Sequence, residues 1–174
     1  TSGSTGQPKG VVLGHGALSQ LLEWHERRYP LERPRTLQFT PVSFDVSFQE
    51  IFTTLLSSGT LVLITEDLRL DPIALIDTLE KSRVQRLFLP FVALQFLAEA
   101  ADALARYPAS LREVFTAGEA LKTTPALRSF FKHLNQTRLH NHYGPSETHV
   151  ITAYELPLDP MTWPALPSIG RAIE

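Results

Sequence analysis

Apolar positions along the chain fall into short runs separated by longer stretches with helical spacing. Residues 11–13, 36–39, 61–64, 86–89, 113–116 and 138–141 have the length and the β-branched, aromatic and leucine content of strands. Between them, residues 17–28, 48–56, 72–81, 91–105 and 125–131 repeat apolar side chains at three- and four-residue intervals, as helices with one buried face do. Alternation of this kind predicts an α/β fold, a parallel sheet flanked by helices, because parallel neighbours need a crossover about as long as a helix. Two helix starts carry a chemical mark. Asp71 before Pro72 and Thr124 before Pro125 each place a capping oxygen ahead of a proline whose missing N–H would have had no helical partner. Leu94, Leu97, Ala101 and Leu104 form a stripe predicted to pack on the sheet, and residues 61–64 read as a buried strand. Residues 156–168 carry Pro157, Pro160, Pro164 and Pro167 and read as a turn-rich connector.

Composition narrows the class. The 174 residues, 43% hydrophobic and 20% charged, suit the core of about one globular domain. A net charge of -2 gives no general attraction to nucleic acid or to an anionic membrane. Arg27, Arg28, Arg33 and Arg35 are interrupted by Glu26, Glu32 and two prolines, and read as a solvated helix end. With no cysteine there is no disulfide framework, thiol nucleophile or cysteine-type zinc site, which fits a reducing cytoplasm. No apolar run reaches membrane-spanning length. The chain begins inside a chemically rich loop and stops just after Ile169 and Gly170 resume an ordered pattern, so a fragment of a longer protein is expected.

That opening loop is TSGSTGQPKG, residues 1–10. Gly3 and Gly6 let backbone N–H groups approach an anion, Thr1, Ser2, Ser4 and Thr5 add hydroxyls, and Lys9 adds a point charge. It is not a Walker A loop, since Pro8 precedes Lys9 and Gly10 follows it. A second polar stretch, HNHYGPSETH at residues 140–149, offers the aromatic face of Tyr143, a turn at Gly144 and Pro145, the hydroxyl of Ser146, and Glu147 as a hard ligand suited to magnesium beside phosphates. The second stretch follows the predicted strand at 138–141, and ligands of open α/β sheets bind at the strands' carboxyl ends. His140, His142 and His149 are a possible zinc set without the usual ligand spacing, and a Ser/His/Asp hydrolase is disfavoured because no G-x-S-x-G elbow is present.

TSGSTGQPKG followed by VV, FDVSFQEIF from Phe44, AGEAL from Ala117, and NHYGPSET from Asn141 resemble successive core motifs of the adenylation domains of nonribosomal peptide synthetases, in that family's order and spacing. The closing PSIGRAIE resembles the approach to the next motif. The resemblance implies part of the large N-terminal region of an adenylate-forming enzyme, with the ribose-binding aspartate and the lid domain carrying the catalytic lysine outside these residues. The implied reaction uses ATP and Mg2+ to activate an amino acid, then passes it to the phosphopantetheine thiol of a peptidyl carrier domain among neighbouring synthetase modules. Thr1, Ser2, Gly3, Ser4, Thr5, Gly6 and Lys9 would cradle the β- and γ-phosphates, Ser146 would contact the α-phosphate, and Glu147 would hold magnesium. Gly118, Glu119 and Ala120 would line one side of adenine, with Asn141 and Tyr143 on the other.

The same resemblance implies a substrate pocket formed by Asp45, Val46, Gln49, Phe88, Phe115, Ala117, His142, Val150 and Ile151. Asp45 would face the substrate ammonium, which favours an amino acid over a fatty or aryl acid, since a buried unpaired carboxylate is costly. The set is similar to that of proline-activating domains, with Gln49 and His142 expected to orient each other or a water. Phe115 and Ile151 are bulkier than that pattern and are expected to shrink the pocket. Two other readings stay open: an acyl- or aryl-CoA synthetase or luciferase-like enzyme, and a nucleotide-binding module without catalysis.

Overall fold

The computed structural model describes residues 10–174. Seven strands form one sheet: β1 (Arg35–Gln38), β2 (Thr60–Leu63), β3 (Arg86–Phe88), β4 (Glu113–Thr116), β5 (Arg138–Tyr143), β6 (Thr152–Glu155) and β7 (Arg171–Ala172). Their order is β2-β1-β3-β4-β5-β6-β7; the first five are parallel, β6 runs antiparallel to β5, and β7 runs antiparallel to β6. The helices are α1 (His15–Arg28), α2 (Val46–Leu56), the single turn α3 (Glu66–Arg69), α4 (Pro72–Lys81), α5 (Phe91–Leu104) and α6 (Pro125–His133). Helices α1 and α2 pack together, while α4, α5 and α6 pack in series, so the sheet is covered on both faces.

Pleating gives the two faces different chemistry, because successive side chains in a strand point opposite ways. Leu37, Leu87, Val114 and Leu139 join the stripe of Leu94, Leu97 and Ala101 and the buried faces of α4 and α6 in the main apolar core. Phe88, Phe115 and His140 are neighbours in register on the other face, where Tyr29 at the end of α1 packs on them. The caps expected at Asp71 and Thr124 form: Asp71 accepts from the Ile73 and Ala74 N–H groups, and Thr124 from that of Leu127.

Several expectations need correction. Residues 11–13 are not a strand; they precede α1, and Val12 is 98% exposed, because three apolar residues without a sheet neighbour have no ladder to join. The stretch at 61–64 is an edge strand, with Leu63 72% exposed, since order in the sheet rather than hydrophobicity decides which strand is flanked. Leu104 is the last residue of α5, beside the left-handed Ala105 at φ +50°, and is exposed rather than packed on the sheet. The proline-rich connector holds a 3-10 turn at Pro160–Thr162 and buries Trp163 against Phe131, with the indole N–H donating to the Pro157 carbonyl at 2.6 Å.

Candidate functional site

Strand order creates the site. The chain leaves β1 through α2 toward β2 and leaves β3 through α5 toward β4, on opposite faces, so a crevice opens between the carboxyl ends of β1 and β3. A cavity of about 460 Å³ occupies it, within the range of small-molecule sites. Phe39, Thr40 and Pro41 after β1, Leu89 and Pro90 after β3, and Ala117, Gly118 and Glu119 after β4 contribute to its wall. Helix α2 adds Asp45, Val46 and Gln49; the β5 end and its loop add His142, Gly144, Ser146, His149 and Val150.

Asp45 caps α2. Its Oδ1 accepts from the Val46 N–H at 2.9 Å, and Oδ2 lies 3.7 Å from His149 Nδ1. The helix N-terminus favours a carboxylate there. His149 is buried, in the left-handed region at φ +57°, where the loop turns back so that the Ile151 N–H donates to the Tyr143 carbonyl at 2.8 Å. Gly144 makes this reversal possible, since a Cβ on it would stand 1.7 Å from the His149 carbonyl oxygen.

Of the residues expected from sequence, Asp45, Val46, Gln49, Phe88, Phe115, Ala117, His142, Val150, Gly118, Glu119 and Ser146 share this cavity wall. Ile151, Ala120, Asn141, Tyr143 and Glu147 do not. Ile151 is turned out by the loop reversal, so its bulk does not shrink the cavity, and Asn141 is buried with its amide donating to the Ser168 carbonyl at 2.9 Å. Tyr143 and Glu147 are exposed. Thr1, Ser2, Gly3, Ser4, Thr5, Gly6 and Lys9 lie outside the described residues. Phe39, Thr40, Pro41, Phe44, Leu89, Pro90, Gly144 and His149 were not among the expected wall residues; the strand-end rule alone could have pointed to residues 39–41 and 89–90.

The expected pairing of Gln49 with His142 does not form. Gln49 Nε2 lies 3.1 Å from His25 Nδ1, and His142 Nε2 lies 3.2 Å from the Tyr29 hydroxyl, because α1 offers each a closer partner. His140 pairs with Glu113 instead of joining a metal site, and among the described residues no three His, Asp or Glu side chains gather as ligands. Nor is any described helix long and apolar enough to cross a membrane.

Burial holds His25 well below the usual imidazole range, helped by Arg86, His142 and His140, and pulls His142 down to about 3, helped by His140. Burial also pushes Glu50 up to about 7, against hydrogen bonds from Thr40, Gln38 and Phe39. The two histidines bind protons near pH 6.5 when unfolded but not when folded, so their contribution is full above that pH and is lost as it falls. Glu50 acts oppositely, its contribution being full below 4.5 and lost as pH rises through about 7. Between 4.5 and 6.5 two imidazoles outweigh one carboxyl, and stability is expected to rise with pH. Urea unfolding at pH 5 and 6 measures this, and Glu50→Gln should steepen it; a flat profile would contradict the neutrality of these imidazoles.

The chain matches the family of AMP-binding enzymes over residues 1–174 and belongs to it. It is 42% identical over 177 residues to tyrocidine synthase 2 of Brevibacillus parabrevis and 38% identical over 174 residues to gramicidin S synthase 2 of Brevibacillus brevis, covering 99% of this chain and 5% and 4% of those proteins. It therefore spans about a twentieth of the length of these relatives. Among solved structures, the Vibrio cholerae adenylation domain AlmE, in complex with glycyl-adenosine-5'-phosphate, superposes with a TM-score of 0.81 at 26% identity, covering 100% of this chain and 32% of that one. The nonribosomal peptide synthetase FmoA3 in its AMPPNP-bound form gives 0.83 at 25% identity, over 95% of this chain and 18% of that one. The likeness to adenylation domains that the motifs suggested thus extends along the whole chain.

Proposed function

We propose that this chain is the pocket-bearing part of an adenylation domain that activates an amino acid, with L-proline as its substrate, at the expense of ATP. The observation that carries the reading is a half-buried carboxylate, Asp45, in the wall of the same cavity that Gly118, Glu119 and Ser146 line. It suits a substrate with an ammonium group, whereas a fatty or aryl acid would leave the charge unpaired. AlmE and FmoA3, crystallised with an aminoacyl adenylate and an ATP analogue, support the nucleotide half of the reading.

In the proposed reaction a substrate carboxylate oxygen attacks the α-phosphorus of ATP. The bond to the bridging oxygen breaks, pyrophosphate leaves, and the aminoacyl adenylate remains. Ser146 would donate to the α-phosphate, with Thr1 to Gly6 and Lys9 holding the departing phosphates as their charge grows. The exposed Glu147 carboxylate, one residue from Ser146, makes no ion pair among the described residues and fits a magnesium ion that neutralises those phosphates. Gly118, Glu119, Ala120, Asn141 and Tyr143 would frame adenine. The acyl group would then pass to a carrier-domain phosphopantetheine thiol, with release of AMP, in a cytoplasmic peptide synthetase.

Proline is favoured by compact apolar walls. Phe88 and Phe115 stack at 4.6 Å between centroids, and Phe115 also packs on His25 and His140 away from the cavity. Amino-acid-dependent exchange of pyrophosphate into ATP by the complete domain, over the common amino acids and pipecolate, tests the reading; exchange with none of them would overturn it. Phe115→Leu should raise the preference for pipecolate relative to proline about tenfold, the low end of what one methylene is worth in an apolar pocket. The ratio of kcat/KM values checks this.

A further inference from the structure

Helix α1 contributes no side chain to the cavity, yet two of the three polar residues buried in the cavity wall, Gln49 and His142, each take their side-chain hydrogen bond from it or from its C-cap. His25 and Tyr29 are four residues apart and therefore stand on one face of the helix end. Both are buried, and their rings pack together at 5.0 Å and on Phe115 at 5.1 and 4.9 Å. Tyr29 also touches the rings of Trp24 and His140. Their rotamers are thus set by packing before any substrate arrives.

We propose that His25 and Tyr29 are positioning residues that fix the hydrogen-bonding identity of the pocket's polar end, Tyr29 by donating its O–H to His142 Nε2 and His25 by pinning the Gln49 carboxamide. The inference rests on the proposed amino-acid pocket and deepens it. A neutral imidazole has one donor and one acceptor nitrogen, so a hydrogen bond received at Nε2 places the ring proton on Nδ1. Burial raises the Tyr29 phenol above its ordinary range, so it retains the proton it donates. Gln49, held at Nε2 by His25, has no partner for its Oε1 among the described residues, which leaves that oxygen for the substrate or a bound water. The pocket then meets its ligand with polar groups already oriented, which lowers the ordering cost of binding.

Tyr29→Phe removes one hydroxyl and keeps the ring. In the complete adenylation domain it is expected to raise the KM for proline about tenfold, as loss of one buried hydrogen bond would, with the KM for ATP unchanged and kcat altered by no more than about twofold. His25→Leu should act likewise, and His25→Asn, which restores an acceptor for Gln49, should recover most of the loss. The nitrogen spectrum of histidine-labelled protein gives the second readout: wild type should show His142 protonated at Nδ1, and Tyr29→Phe should lose that single tautomer. An Nε2-protonated His142 in wild type, or an unchanged proline KM in Tyr29→Phe, would overturn the inference. If Tyr29→Phe fails to fold, the wild-type spectrum decides alone. Wild-type exchange with an amino acid other than proline would overturn the substrate reading and leave the tautomer result standing.

Discussion

Asp45→Ala is expected to abolish amino-acid-dependent pyrophosphate exchange, lowering kcat/KM on the order of 10²–10³-fold, because truncating one partner of a buried charge pair costs about 2–5 kcal/mol. Two losses contribute. The substrate ammonium loses its counter-charge, and α2 loses the oxygen that accepts from the Val46 N–H. The cap by itself is worth about 0.5–2 kcal/mol and appears as stability rather than as specificity. Asp45→Asn separates them, since it keeps a capping oxygen and the side-chain shape but not the charge. Asparagine should therefore unfold near the wild-type midpoint while losing most of the exchange. Steady-state exchange and thermal unfolding of both variants measure this. Wild-type-like exchange by Asp45→Asn would show that no ammonium is read at this position, and a carboxylic acid without an amine would become the substrate to test.

Gly144→Ala should disable the site from the other side. The added carbon would meet the His149 carbonyl oxygen at 1.7 Å, its carbon at 2.6 Å and the Val150 Cα at 2.9 Å. All three are backbone atoms, so no side chain can swing aside, and the turn carrying Ser146, His149 and Val150 must open. Overpacking commonly costs 1–3 kcal/mol, and a backbone obstacle places this change at about 3 kcal/mol or above. Gly118→Ala is the informative comparison. Its φ of +86° strains an alanine by roughly 1–2 kcal/mol, but among the described residues no atom beyond its chain neighbours lies within 4 Å of the new carbon. The expected order is therefore a lower unfolding midpoint and lost exchange for Gly144→Ala, with a smaller effect of Gly118→Ala on stability. Full activity in Gly144→Ala would mean that the reversal at residues 144–150 is not needed for binding.

Elements that advertise their own ends were readable in advance. Helices α4 and α6 are marked by Asp71-Pro72 and Thr124-Pro125, and these caps form as the chemistry requires. Strands β6 and β7 were not readable: β6 is half-buried throughout, β7 is two exposed residues, and both owe their pairing to a chain reversal that begins at Gly144. Residues 11–13 show the converse, a strand-like composition with no neighbour to pair with. Within the site, motif order brought out most of the wall, including Asp45, Phe88, Phe115 and His142. His149 carried no signal of its own, because its nearness to Asp45 exists only after β5 and α2 are side by side.

The order of apolar runs, the capping residues and the four motifs were enough to specify a helix-flanked parallel sheet and its family, and they motivate the proposed phosphate and amino-acid site. Local patterns can do this because burial, capping and turn formation act between residues close in the chain. Which polar groups meet was decided by topology: His25 reaches Gln49 across 24 positions and Tyr29 reaches His142 across 113. Such contacts depend on strand order and on the rotation of α1 against the sheet, and a one-dimensional pattern of apolar and polar residues contains neither.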